Sequence, residues 1–96
     1  MKAELKDTVQ MMNSADYKER FKAEYYQTKI RYEKLKAFNN KIEASNATNA
    51  MWNNNGKTVE MPKHDCPDNL LREQQRIMGE YLHILEIRAV IEGVEL

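Results

Sequence analysis

The stretch from Cys66 to Gly93, Cys-Pro-Asp-Asn-Leu-Leu-Arg-Glu-Gln-Gln-Arg-Ile-Met-Gly-Glu-Tyr-Leu-His-Ile-Leu-Glu-Ile-Arg-Ala-Val-Ile-Glu-Gly, constrains the fold more than any other part of the chain. Its apolar residues recur at helical spacing. Leu70, Ile77, Ile84 and Ile91 form one row seven residues apart, and Leu71, Met78 and Leu85 form a second row beside it. A surface helix needs an apolar stripe of about 100° to cover one neighbour. Two full rows call for two neighbours: a helix of the same chain and a second copy of the chain. The expected fold is therefore all-α, a long antiparallel helical hairpin that also assembles into a homo-oligomer, with Ile77, Ile84 and Ile91 facing the partner.

The rest of the composition fits that reading. A chain of 96 residues is one domain, and 2 Pro and 3 Gly leave few helix breakers. The net charge is zero, whereas a general nucleic-acid binder needs a basic excess to displace counterions, so no nucleic-acid partner is expected. The charges are nevertheless divided. Residues 17–43 hold eight Lys/Arg against four Asp/Glu, and residues 67–96 hold three against six. A basic helix facing an acidic one selects its partner, although each exposed pair contributes only about 0–1 kcal/mol. The single cysteine, Cys66, excludes an internal disulfide. No segment approaches the roughly 18 apolar residues of a membrane span, and the first residues lack an apolar signal core. An intracellular protein without a membrane partner is expected.

The elements follow from local signals. Residues 1–13 predict a short helix, with Leu5, Val9 and Met12 on its docking face. Asp16-Tyr-Lys-Glu19 has the spacing of a capping box and opens a long helix over 16–43. The inner face of that helix is Phe21, Tyr25, Thr28, Tyr32, Leu35 and Ile42, with Phe38 adjacent. Tyrosine buries a large ring but needs a partner for its hydroxyl. Residues 44–65 are polar and asparagine-rich and read as a loop. Within it, Met51-Trp52 and Thr58-Val59-Glu60-Met61 flank Asn53-Asn-Asn-Gly56, and Asn-Gly favours a tight hairpin turn. A small β-hairpin is expected there, with Trp52 as its anchor and a partner-binding residue. The second long helix spans 67–93, from Pro67 at its first turn to Gly93 at its left-handed cap.

Little in the chain points to catalysis. His64-Asp65-Cys66 is one tight cluster, whereas a structural zinc site uses four ligands in spaced pairs, so no metal site is assigned. No nucleophile–histidine motif or Gly-rich phosphate loop occurs, and no cofactor is expected. The polar residues on inner rows carry more information. Gln74, Tyr81 and Arg88 run beside Leu71, Met78 and Leu85, and Arg31 shares a row with Glu24 and Phe38 next to Tyr25 and Tyr32. Such residues can fix the register of a helix pair. They can also line a ligand pocket: arginine offers a two-pronged donor to phosphate, and tyrosine rings stack on planar bases. Tyr25, Arg31, Tyr32, Gln74, Tyr81 and Arg88 are the candidate ligand-binding residues.

Asp16-Tyr-Lys-Glu-Arg-Phe-Lys-Ala-Glu-Tyr-Tyr26, Ile30-Arg-Tyr-Glu-Lys-Leu-Lys36, Leu70-Leu-Arg-Glu-Gln74, Met78-Gly-Glu-Tyr-Leu82 and Leu85-Glu-Ile-Arg88 together form a spaced pattern more specific than a plain heptad. It resembles that of small helical proteins of the crAss-like-phage-related family. The resemblance covers both long helices and implies a bacteriophage protein acting in the cytoplasm of the infected bacterium. In size and apolar surplus, though not in any motif, the chain also resembles phage anti-defence proteins that oligomerise and sequester cyclic nucleotides or cyclic ADP-ribose signals. Two functions are compatible with these readings. One is non-enzymatic sequestration of a nucleotide-type immune signal. The other is a protein–protein interaction module that inhibits or scaffolds a host defence protein or a phage protein.

Overall fold

A computed structural model describes residues 4–50 and 57–96. A 3₁₀ turn, Leu5–Asp7, leads into the short helix α1, Thr8–Met12. The long helices α2, Tyr17–Ala50, and α3, Asp68–Glu92, form an antiparallel hairpin, with α1 packed on α2. At 1.5 Å per residue α2 alone spans about 50 Å, and it sets the 56 Å length of the molecule. The expected all-α hairpin is what forms, and there is no strand among the described residues.

The hairpin seam is built from matched helical rows. On α2 the row is Phe21, Tyr25, Thr28, Tyr32, Leu35, Asn39 and Ile42, in alternating steps of four and three. On α3 it is Leu71, Gln75, Met78, Leu82, Leu85 and Ala89. Phe21, Tyr25, Leu82, Leu85, Ala89 and Val94 form the buried cluster, with Tyr26 and Tyr32 packed against it. Leu85 is wholly buried. Val94 enters the cluster because Gly93 adopts φ 71°, the left-handed conformation that turns the chain back after α3. The Val94 N–H then donates to the Ala89 carbonyl at 2.8 Å.

Polar clamps hold the seam in register. Asn39 is buried, and its Nδ2 donates to the Leu71 carbonyl at 3.1 Å and to Gln75 Oε1 at 2.9 Å. Tyr25 Oη donates to Glu86 Oε2 at 2.7 Å. The Tyr25 hydroxyl and the Asn39 amide nitrogen thus find their partners on the opposite helix, while Asn39 Oδ1 is buried without one.

Four local expectations are corrected. First, α2 does not stop at Glu43 but continues to Ala50. Ala44, Ala47 and Ala50 are strong helix formers, and Thr48 Oγ1 bonds back to the Ala44 carbonyl. The extra turns have something to pack on, since Val59 N–H donates to Thr48 Oγ1 at 3.1 Å, and further back along α2 His64 meets Phe38 edge to face. Second, Thr58–Met61 is not a strand, and residues 57–67 run without regular structure. The other half of the expected β-hairpin, including Trp52 and the Asn-Gly turn, lies outside the described residues. Third, Thr8 rather than Val9 or Met12 is the buried residue of α1. The 3₁₀ turn has three residues per turn, which breaks the 3.6-residue alignment of Leu5 with Val9 and Met12. Thr8 docks by accepting from Gln27 Nε2 at 3.0 Å. Fourth, the capping box is half made. Asp16 Oδ1 accepts from Lys18 N–H, but the Asp16 N–H goes to Ser14 Oγ instead of Glu19.

Two substitutions test the seam by urea denaturation. Leu85→Ala costs about 2–5 kcal/mol, the range for a fully buried leucine. Asn39→Ala costs about 1–3 kcal/mol through the hydrogen bonds it removes and the buried acceptor it strands.

Candidate functional site

The hairpin presents two unlike sides. On one, α2 and α3 part to form a groove of about 290 Å³ lined by Tyr25, Lys29, Tyr32, Glu33, Gly79, Leu82, His83 and Glu86. Gly79 opens it: a Cβ there would sit 3.3 Å from Tyr32 Cε1, so the glycine lets the ring lie against the helix backbone. Lys29 reaches over the Tyr25 ring at 5.7 Å from its centroid, a cation–π contact that leaves the ammonium at the groove. Burial pushes the Tyr25 phenol well above its ordinary pKa, and the hydrogen bond to Glu86 adds to this. The site thus combines aromatic faces, one fixed cation, an imidazole and two carboxylates.

The other side carries a clamp. Arg88 donates Nε to Glu92 Oε2 at 3.0 Å and one Nη to Tyr17 Oη at 2.9 Å. Tyr17 Oη in turn donates to Glu92 Oε1 at 2.7 Å. The guanidinium carbon lies 5.1 Å from the centroid of the Phe21 ring. The hydrogen bond to Tyr17 is the main reason that the Glu92 carboxyl is held below the ordinary carboxylate range. Hydrogen bonding to Glu92 raises the pKa of Arg88. The clamp ties the first turn of α2 to the last turn of α3.

The six candidate ligand residues are therefore divided. Tyr25 and Tyr32 come together in the groove. Arg88 is engaged in the clamp. Gln74 and Tyr81 lie on the exposed outer side of α3, and Arg31 is exposed on α2; none of these four lines the groove. Lys29, Gly79, His83 and Glu86 complete the groove and lie outside the six candidates. Lys29 stands four after Tyr25 and three before Tyr32, which places it on their face. His83 has the same relation to Gly79.

Of the candidate partner-binding residues, Ile77, Ile84 and Ile91 are 51%, 55% and 77% exposed, and Leu70 of the same row is 56% exposed. Their row turns away from α2, while the row of Leu71, Met78 and Leu85 faces it. His64 points its Nδ1 at the Cys66 carbonyl, 2.7 Å away, and so must donate to it. No group of three or more potential metal ligands occurs among the described residues. Nor is any helix among them long and apolar enough to cross a membrane.

Residues 15–91, covering both long helices and the segment between them, match the sequence model of the Sequestin family. The chain belongs to the Sequestin family. Membership implies a sequestering protein, with a binding role rather than a catalytic one. Neither the curated proteins nor the solved structures give a match. The family match leaves out α1 and spans the hairpin.

Tyr25 supplies a pH test. Its pKa is raised on folding, so its contribution to stability is whole below the ordinary phenol value of about 10 and is lost as pH rises through the raised value. Alkaline titration followed by circular dichroism is expected to destabilise the wild-type protein more steeply than Tyr25→Phe as pH rises from about 10 toward the raised value.

Proposed function

We propose that the protein is a phage-encoded, non-enzymatic anti-defence protein. It acts as a homo-oligomer in the cytoplasm of the infected bacterium and sequesters a nucleotide-type host immune signal of the cyclic nucleotide or cyclic ADP-ribose class. The observation that carries the ligand class is the groove at Tyr25, Lys29, Tyr32 and His83. A nucleotide offers a planar base, ribose hydroxyls and a phosphate. The tyrosine rings suit the base, Glu33 and Glu86 are acceptors for hydroxyl and amino groups, and Lys29 is a point charge for phosphate. The volume lies at the lower edge of the roughly 300–1,000 Å³ usual for small-molecule pockets, so the groove fits one end of such a signal. Sequestration needs no chemistry, and membership of the Sequestin family supports that reading. The resemblance to small phage proteins supports the setting.

A second reading, a module that inhibits or scaffolds a host or phage protein, is favoured by the exposed row Leu70, Ile77, Ile84 and Ile91. Calorimetric titration with cyclic dinucleotides and cyclic ADP-ribose isomers separates the two. Binding is expected for at least one of these compounds. Lys29→Ala is expected to weaken it tenfold or more, as a charge-assisted hydrogen bond contributes about 1.5–3 kcal/mol, while Arg31→Ala leaves it unchanged. Absence of heat with every compound, together with a co-purifying protein, would establish the second reading.

A further inference from the structure

The outer side of α3 is more ordered than an unpartnered face requires. Its apolar positions, Leu70, Ile77, Ile84 and Ile91, alternate with Gln74, Tyr81 and Arg88 in steps of four and three. That is the repeat of a coiled-coil seam. The inner row of α3 has the same steps, displaced by one residue, and is occupied by α2. One helix thus carries two seams, and only one is filled within the chain. The open seam runs about 32 Å at 1.5 Å per residue, and a contiguous exposed apolar surface of this kind marks an interaction site.

The order of residues along the seam selects the occupant. Outward from Tyr81 in either direction come an isoleucine, then a polar residue, then an aliphatic residue. A row that matches its own reverse suits an antiparallel two-fold contact, in which residue i meets j while j meets i. A foreign surface would impose no such symmetry. Direction follows from the same order and from the helix dipoles, which oppose when the two copies of α3 run antiparallel. Neither Arg88 nor Glu73 brings a free charge to the contact, since Arg88 is held by Glu92 and Tyr17, and Arg76 pairs with both Glu73 and Glu80.

We infer that a second copy of the chain docks on this face, α3 against α3 and antiparallel, with Tyr81 near the two-fold axis. This rests on the homo-oligomer part of the proposed function and is independent of the ligand. Gln74 and Tyr81 then act as seam residues that fix register, while the groove of Tyr25 and Lys29 stays on the open side.

The native cysteine tests orientation directly. Cys66 is the chain's one cysteine, is exposed and lies two residues before α3. With a spin label on Cys66, antiparallel docking is expected to give a label separation of about 40 Å, from some fourteen residues on each side of the axis at 1.5 Å each. Light scattering on the unlabelled protein is expected to give at least twice the 11.3 kDa chain mass. Ile77→Glu combined with Ile84→Glu is expected to return a single chain with an unchanged circular dichroism spectrum, because both positions are exposed in the hairpin itself. A wild-type mass of one chain at high micromolar concentration, an assembly that survives the double substitution, or labels within about 20 Å of each other at that helical rise would each overturn the inference. Failed nucleotide titrations with an intact assembly would remove only the ligand reading. A single chain that still binds nucleotide would remove only the assembly.

Discussion

The register between α2 and α3 is the constraint on which the rest of the molecule depends. Facing residues of the two helices obey one rule: the residue numbers total 109 for Tyr17 and Glu92, 111 for Tyr25 and Glu86, 111 for Tyr32 and Gly79, and 110 for Asn39 and Leu71, while Asn39 also reaches Gln75, one turn further on. An apolar seam with a seven-residue repeat tolerates a slip by one repeat, since aliphatic side chains would still meet aliphatic side chains. The polar clamps do not tolerate it. A slip would leave the Asn39 amide and the Tyr25 hydroxyl in a buried seam without partners, and an orphaned buried polar group costs about 1–3 kcal/mol each. Hydrophobic burial drives the helices together, and three polar contacts choose among the ways they could meet.

Once the register is fixed, the surface is fixed with it. Gly79 faces Tyr32, so a groove opens at that level, and a second hollow lies nearer the start of α3, between Asn39, Asn40 and Glu43 of α2 and Asp68, Arg72 and Gln75 of α3. Arg88 reaches Tyr17 and Glu92, so it belongs to the end clamp and is committed within the chain. The last turns of α2 extend past the start of α3, and the segment from Lys57 to Pro67 runs beside them through Val59 and His64. The outer row of α3 is left facing solvent because α2 has only one seam to offer.

The sequence made the periodic features legible. The two rows of α3, the tyrosine-rich face of α2 and the glycine cap at Gly93 depend on spacing within one helix, which a single strand of text displays. What was not legible depends on context. Asn46, Asn49 and Thr48 look like loop residues, but their helix is sustained by alanines and by a neighbour that the local sequence does not announce. Thr8 docks α1 through a hydrogen bond to Gln27 instead of through the aliphatic face. The groove was half visible: Tyr25 and Tyr32 share a helical face, but Gly79, His83 and Glu86 join them only through the cross-helix register. Arg31 does not join those tyrosines in the groove because it stands on another face of the same helix, and Arg88 does not because Glu92 and Tyr17 hold it.

The division of the hairpin into two sides bears on how a sequestering protein can also be an assembly. Adjacent residues on a helix point about 100° apart, and His83 of the groove directly precedes Ile84 of the outer seam. The two surfaces therefore share α3 without overlapping. A contact through the outer seam would stiffen α3, and with it Gly79 and Glu86, without covering Lys29 or the tyrosine rings. On the proposed reading, in which the groove takes the signal, capture is stoichiometric and its capacity is set by the number of open grooves per chain. An assembly built through the groove side would lose that capacity as it formed. One built through Ile77 and Ile84 retains one groove per chain, which is the physical reason to expect the apolar surplus of α3 on the side where it lies.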